Sequence, residues 1–425
     1  MANSKIPFSM RLFCAALAGV CVGASAQPPA QVVKPPVAQA WIDVATFAGM
    51  GMPMGLPGGG NPMAMLGGLF GGGSGKGGNT FGQTQAMSPG RWVDVTLYTR
   101  NNPQLAEGQQ AVPAGFLSPA LKLQSPKEAR GTAPEPGDER VTEPEYERPK
   151  GKMLLYWGCG ETVRAGQPRV VDFASATPAD LAKFFQSRRA TQRGTHAAVG
   201  RPVWPSKDDA RMVPAQASLA GEHAFSGAGV PEGFRFQLPA AQDLMPAIAL
   251  KQTPQPAGST LLEWQALPTA RAYFASAMGA REKSENEMVL WTSSELPDIG
   301  FGLLDYQTNP AVDRWLKEKV LLPRQATSCE VPKGLFTGPG AMLRMIAYGN
   351  ELNLAHPPRP TDPRVAWEPD WTAKIRVKSV AMAMLGMGMG MEVPVAEPAD
   401  APASRPDEGQ KKPGVKDLLR GIFGR

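Results

Sequence analysis

The chain has 425 residues, of which 42% are apolar and 19% charged, and its formal net charge is +6. This length is sufficient for two or three domains. The 47 glycines and 43 prolines fall short of the share typical of wholesale disorder, so we expect folded cores with long Gly/Pro-rich loops. The lysines and arginines are scattered among acidic residues rather than gathered in a stripe, which argues against a nucleic-acid-binding protein.

Residues 1–26 have the pattern of a secretory signal peptide. Lys5 and Arg11 supply positive charge, LFCAALAGVCV is a short apolar run, and small residues precede a cleavage site between Ala26 and Gln27. The run is too short to span a bilayer. The alternative is an apolar N-terminal helix that is retained. The pattern predicts an exported protein, periplasmic or secreted, with at most a peripheral attachment to a membrane.

The cysteines fit an exported protein. Cys14 and Cys21 lie in the leader, which leaves Cys159 and Cys329. In an oxidising compartment two remaining thiols tend to pair. A bond between them would enclose roughly 170 residues and contribute on the order of 4–5 kcal/mol in chain-entropy models. Two separate buried thiols are the alternative, because spacing alone does not establish geometry.

An N-terminal β-rich domain is predicted at 41–215, after a proline-rich lead at 27–40. Two similar alternating stretches, WIDVATF and WVDVTLY, predict two strands of one sheet. Between them, the Gly/Met-rich stretch 47–90 predicts a mobile loop, because it has few side chains to offset the entropy of ordering. A polar, proline-rich loop is expected at 101–150.

Two short helices are predicted within this β-rich chain. The first begins at Thr177, a good N-cap, with Pro178 in the first turn and Asp180 near the positive end of the helix, and it is expected to continue to Ala190. The second extends from Asn309 to Lys319 and again has a proline at its start.

A second β-rich domain is predicted at 216–392, where short apolar runs alternate with Pro, Gly and Asn turns. Within it, STLLEWQALPTARAYFASAM has a Trp on one strand, then Pro and Ala, then a strand that bears a Tyr. This part of the chain, roughly 245–300, resembles the early strands of a fibronectin type III module. The resemblance implies that Trp264 and Tyr273 are core residues of a binding scaffold. The predicted fold class is mainly β, with one or two β-sandwich-like domains of the fibronectin III or immunoglobulin type, two short helices and long Gly/Pro-rich loops.

No catalytic motif is recognisable. His196, His223 and His356 stand in no zinc-binding arrangement, and we interpret His223 as structural, although Glu222 adjoins it, because neighbours on a strand point to opposite faces. The stretch GGGSGKGGNT lacks two defining residues of a phosphate-binding loop. No cofactor is predicted. A hydrolase whose carboxylates are assembled only by the fold is kept as one alternative function.

Methionine alternates with glycine at two places in the chain. Met387, Met389 and Met391 form one run, and residues 50–54 repeat the pattern. Thioethers suit Cu(I), so periplasmic Cu(I) handling is a second alternative function. On a strand, however, this alternation places every methionine on one face, where it can serve as apolar cover. We favour two Gly/Met extensions of neighbouring strands that touch each other, or an adhesive loop against lipid or a partner.

The C-terminal end carries a basic tail. A solvated linker is predicted at 393–413, and at 414–425 apolar residues recur at helical spacing. The apolar side of the tail consists of Leu418, Leu419, Ile422 and Phe423. Such a tail contacts a membrane surface or a partner groove, and a helix packed on its own domain is the alternative. The sequence as a whole predicts a non-enzymatic binding or scaffold protein of the cell envelope, whose partner is an envelope protein or a membrane surface.

Overall fold

A computed structural model describes residues 31–49, 82–85, 89–127, 151–191, 197–281, 284–337 and 340–385, without the side chains of 284–286. Several predictions lie outside these residues: the leader with Ala26 and Gln27, most of the 47–90 stretch, residues 128–150, His196, Met387, Met389 and Met391, the linker 393–413 and the tail 414–425.

The structure is mainly β, as predicted, because strands make up 41% and helices 9% of it. In chain order the strands are β1 (Ala38–Gly49), β2 (Gly90–Thr99), β3 (Glu107–Ala111), β4 (Ala120–Gln124), β5 (Lys152–Trp157), β6 (Arg169–Asp172), β7 (Val203–Trp204), β8 (Gly221–Gly227), β9 (Arg235–Leu238), β10 (Lys251–Pro254), β11 (Thr260–Glu263), β12 (Ala272–Arg281), β13 (Ser284–Thr292), β14 (Leu322–Pro323), β15 (Ser328–Val331), β16 (Ala341–Tyr348), β17 (Leu352–His356) and β18 (Trp371–Leu385).

Fifteen of these strands form one sheet, in the order β6-β5-β13-β12-β16-β18-β1-β2-β7-β4-β3-β8-β9, with β14 beside β12 and β17 beside β18. The order β10-β11-β15 makes a small second sheet. The pairs β1–β18 and β5–β13 are parallel, and the other described pairs are antiparallel. Strands from both sides of residue 215 therefore alternate in the large sheet. The division into domains at that residue stays a prediction.

Two strands lie in the stretch where a polar loop was expected at 101–150. On β4 the alternate residues Leu121 and Leu123 face the main core, and on β3 the alternate residues Gly108 and Gln110 are buried. Burial at every second position places this hairpin in the sheet although the surrounding sequence is polar.

Both predicted helices are present, as α1 (Pro178–Phe184) and α2 (Asn309–Lys317). Thr177 caps α1 in a reciprocal capping box with Asp180. The expected helix continued to Ala190, but α1 ends earlier because Asp298 accepts hydrogen bonds from the hydroxyl of Ser187 and the backbone N–H of Arg188. Hydrogen bonds to a distant carboxylate thus take the place of further helical hydrogen bonds.

The large sheet curls so that its last strands cover one face of β18. Phe234 and Phe236 lie 4.8 and 6.1 Å, between ring centroids, from Trp371 at the start of β18. The main core lies on this face, where β1 contributes Ile42 and Val44. The opposite face is covered by α2 and the segment 298–308.

The cysteine pair connects the two sheets. Cys159 follows β5 and Cys329 lies in β15, and their sulfur atoms are at disulfide distance, 2.07 Å apart. Trp264 and Tyr273 are both buried, with ring centroids 5.6 Å apart, as expected of core residues.

Candidate functional site

Both Gly/Met segments leave the sheet at the same end. Strand β1 runs parallel to β18, with Gly49 opposite Met382, so the chain continues from neighbouring strands into residue 50 and into residue 386. Gly49 has a positive φ of 99°, and a Cβ there would stand 1.9 Å from the carbonyl oxygen of Met382. Only glycine fits this approach of the two backbones.

A cluster of charged side chains lies on the sheet face beneath these exits. Strand β18 places Lys374, Arg376 and Lys378 on one face, because successive side chains alternate. The guanidinium of Arg376 donates to both carboxylate oxygens of Asp43 on β1, at 2.7 and 2.5 Å. The exposed fractions of these two side chains are 5% and 13%, so the ion pair is buried.

The segment 298–308 completes this cluster from above. The ammonium of Lys378 donates to Asp305 at 3.0 Å. The ring of Tyr306 contacts both cations, with Arg376 at 4.5 Å and Lys378 at 4.2 Å from its centroid, and its hydroxyl donates to the carbonyl of Val44. Burial raises the pKa of Tyr306 well above its ordinary value, so the hydroxyl keeps its proton at neutral pH.

Burial and pairing compete in setting the charge of each group. Burial lowers the pKa of Lys378, and the attraction of Asp305 only partly opposes it. Burial would raise the pKa of Asp305, but Lys378 outweighs it and holds this pKa below its ordinary range. For Arg376 the desolvation is likewise outweighed by Asp43, and the pKa is raised. The arrangement at neutral pH is a set of paired charges.

Asp94 binds the residues that follow the first Gly/Met segment in the sequence. Its carboxylate accepts hydrogen bonds from the backbone N–H groups of Gly82, Gln83 and Thr84 and from the Thr84 hydroxyl, over 2.6–3.2 Å. Burial, with a smaller contribution from the neighbouring Asp43, raises the pKa of Asp94 to about 6, although the hydrogen bonds from Thr84 and Gly82 act in the opposite direction. Asp94 thus anchors residues 82–84 to β2.

These groups suit positioning rather than reaction chemistry. Asp94, Arg376 and Lys378 are at most 4% exposed, so a substrate does not reach them. Removing such charges from water costs several kcal/mol per ion, of which good pairing returns only part. A cluster of this kind specifies geometry: it holds β1, β2, β18 and the covering segment in one arrangement.

The structure places the other sequence-predicted residues as follows. It brings Cys159 and Cys329 together at disulfide distance. His223 is fully buried, bonded to Gln110 and to the carbonyl of Leu219, and burial lowers its pKa. His356 stacks on the ring of Trp371. Among the described residues, no three His, Cys, Asp or Glu side chains are grouped as a metal site.

The charged cluster is absent from the sequence predictions, although a signal exists. Lys374, Arg376 and Lys378 recur at every second position of an otherwise apolar strand, and Asp43 and Asp94 occupy the same place in the two W-x-D-V strands. Charged residues at every second position of a long strand normally indicate a solvent-exposed face. The partners that bury them come from distant parts of the chain.

No family model matches this chain, and no curated protein or solved structure matches it at a significant level. No helix in the described part of the chain is long and apolar enough to cross a membrane. Cysteines at disulfide distance fit an exported protein.

Proposed function

We propose that this is an exported cell-envelope protein with a non-enzymatic binding or scaffold role, which contacts its partner through the two Gly/Met segments. The observation that carries the proposal is the parallel pairing of β1 with β18, which directs both segments from one end of the sheet. Methionine side chains are flexible and polarisable, and they serve contact surfaces that must adapt to a partner.

The rigid framework below the exits supports the same role. The Arg376–Asp43 pair joins the two exit strands, and Asp94 holds residues 82–84 where the first segment returns. Adaptable segments on a fixed base are a common arrangement for binding, since the base limits the entropy lost on contact.

The test is co-sedimentation of the exported chain with envelopes from the bacterium that makes it. Serine replaces Met50, Met52, Met54, Met387, Met389 and Met391 in the test variant. The control is Met212→Ser, which changes an exposed methionine outside both segments. We expect the six-site variant to bind at least about tenfold more weakly and the control to bind normally. Equal binding by all three proteins removes the proposal.

The tail at 414–425 is a second proposed contact. Deleting it should reduce partitioning with membranes if Leu418, Leu419, Ile422 and Phe423 form an apolar membrane-binding side. Unchanged partitioning dismisses the tail and leaves the role of the Gly/Met segments intact.

Cu(I) handling is the second candidate function, and the same parallel pairing favours it, because it starts both methionine runs from neighbouring strands. Titration with Cu(I) under reducing conditions separates the two functions. Tight uptake that is lost when Met387, Met389 and Met391 become serine supports metal handling. Absence of uptake removes this candidate.

A hydrolase gains less support from the described residues. Glu295 and Asp313 line one cavity, but each is paired with an arginine, and Arg164 holds the pKa of Glu295 below its ordinary range. A carboxyl kept ionised in this way does not donate a proton to a leaving group.

For the fold, we propose that the Trp264–Tyr273 region is a fibronectin-type sandwich element. Its support is the contact of the two rings and the bond from the backbone N–H of Leu267, in the connection between β11 and β12, to the Tyr273 hydroxyl on β12. An experimental structure whose strand order differs from that family would remove this part of the proposal.

A further inference from the structure

A cavity of about 900 Å³ lies beside the end of α2, at the opposite end of β12 from the Gly/Met exits. Its walls come from the start of β12, the turn after α2 and β14. The volume is in the range of small-molecule sites and is far larger than a single inorganic ion needs.

The cavity carries a surplus of positive charge. Arg271, Lys319 and Arg324 line it, together with the carboxylates of Glu295 and Asp313. Arg271 pairs with Asp313, and Glu295 is held by Arg164 from outside the lining. Lys319 and Arg324 form no ion pair with any described residue. Two cations are therefore left for a ligand.

Two buried donors at the same cavity have no hydrogen-bond partner among the described residues. They are Nε of Arg271 and the hydroxyl of Thr269. The other guanidinium nitrogens of Arg271 are fixed by Asn350, at 2.6 Å, and by Asp313, so the orientation of Nε is set in advance. A buried donor without an acceptor costs about 1–3 kcal/mol, and because both atoms are shielded from solvent, a ligand oxygen offsets this cost only when the lining shifts to admit it.

The backbone at Lys319 adds an independent observation. Lys319 has a φ of 57° and is the one non-glycine residue with positive φ in the described part of the chain. Its N–H bonds back to Leu316 and that of Val320 to Trp315, so Lys319 holds the position after a helix where glycine is the usual residue. A side chain there costs about 1 kcal/mol. The cost is borne at a residue that lines the cavity.

Most of the remaining lining is apolar, and Gln325 and Asn350 are its polar members. The apolar part consists of Leu316, Leu321, Leu322, Pro268, Pro323, Ala270 and Ala241. We infer that the cavity binds an amphipathic organic anion, with a carboxylate held by Lys319 and Arg324, and an apolar chain laid against the leucines and prolines. This site is separate from the Gly/Met segments and does not depend on their role.

Calorimetric titration of the exported chain tests the inference, with octanoate as the probe. Acetate has the same charge without the chain, octanol has the chain without the charge, and inorganic phosphate tests a free anion. We expect octanoate to bind at least about tenfold more tightly than each of the other three, and to weaken as salt is raised. Equal binding of octanoate and octanol, preference for phosphate, or no octanoate binding at about 10 mM overturns it.

Variants locate the site without disturbing the fold. Lys319→Gly removes the cation and relieves the backbone, so octanoate affinity should fall at least about fivefold while the melting temperature rises or stays the same. Arg324→Gln should weaken binding similarly. The matched control is Lys317→Gln, an exposed cation two residues away on α2 that is not in the cavity lining. Equal affinity in Lys319→Gly and Lys317→Gln contradicts the assignment.

Discussion

Replacing Arg376 by methionine should destabilise the protein strongly. The change leaves the carboxylate of Asp43 without its two hydrogen bonds, and that side chain is only 13% exposed. Breaking a buried pair from one side typically costs about 3–5 kcal/mol, because the other charge stays buried and uncompensated. The contact of the guanidinium with the Tyr306 ring is lost in addition.

The double variant Asp43→Leu/Arg376→Met distinguishes the charge effect from lost packing. It removes both charges, and apolar replacements of buried pairs are often neutral or stabilising. We therefore expect the double variant to be more stable than either single variant, with a coupling free energy of about 3 kcal/mol. A surface pair supplies the control: Arg364 bonds Asp362 but is 80% exposed, so Arg364→Met should cost less than about 1 kcal/mol.

The assay is urea unfolding at neutral pH, followed by tryptophan fluorescence. The free energies of unfolding of the wild type, both single variants, the double variant and the surface control are compared at one salt concentration. If Arg376→Met costs no more than Arg364→Met, or if the two single losses simply add in the double variant, the proposed burial of an obligatory pair is refuted.

Three further outcomes are expected. Reducing agent, or serine in place of both Cys159 and Cys329, should lower the free energy of unfolding by about 2–5 kcal/mol, measured by the same titration. Burial lowers the pKa of His223 from its ordinary 6.5, so its contribution is present above about pH 6.5 and is lost as pH falls below it; His223→Gln should reduce this acid sensitivity in urea midpoints at pH 7 and 5. Asp94 acts with the opposite sign, because its pKa is raised from 3.8 to about 6. Its ionisation therefore lowers the free energy of unfolding by about 3 kcal/mol at neutral pH, and this loss disappears as pH falls from about 6 to 4. Asp94→Asn should abolish this acid-induced rise in the free energy of unfolding.

Local signals in the sequence predicted the elements that local contacts determine. The two W-x-D-V stretches do form adjacent antiparallel strands of one sheet, with Asp43 opposite Asp94. The start of α1 was predictable because Thr177 and Asp180 satisfy each other within one turn. The end of α1 was not predictable, because Ser187 and Arg188 donate hydrogen bonds to Asp298, which is more than a hundred residues away.

The order of the strands and the charged cluster could not be predicted for the same reason. Asp43 and Arg376 are 333 positions apart, and Lys378 and Asp305 are 73 apart. The alternation of Lys374, Arg376 and Lys378 was visible, but it is typical of a strand with one wet face. The sequence of the segment 298–308 has no pattern that predicts its packing against this face.

The buried pair also explains how two distant strands find one alignment. A strand that slips by one residue turns every side chain to the opposite face. In the observed register Asp43 stands opposite Arg376, and the same register sets Gly49 opposite Met382. A slip would carry the Asp43 carboxylate to the apolar face, beside Ile375 and Val377 of β18, at a cost of several kcal/mol. The charges thus destabilise slipped registers more than they stabilise the observed register. For this reason the apolar double variant, even if stable, should bind envelopes less well than the wild type. No buried charge pair then opposes a slip of β1 along β18, and a slip would misalign the starts of the two Gly/Met segments.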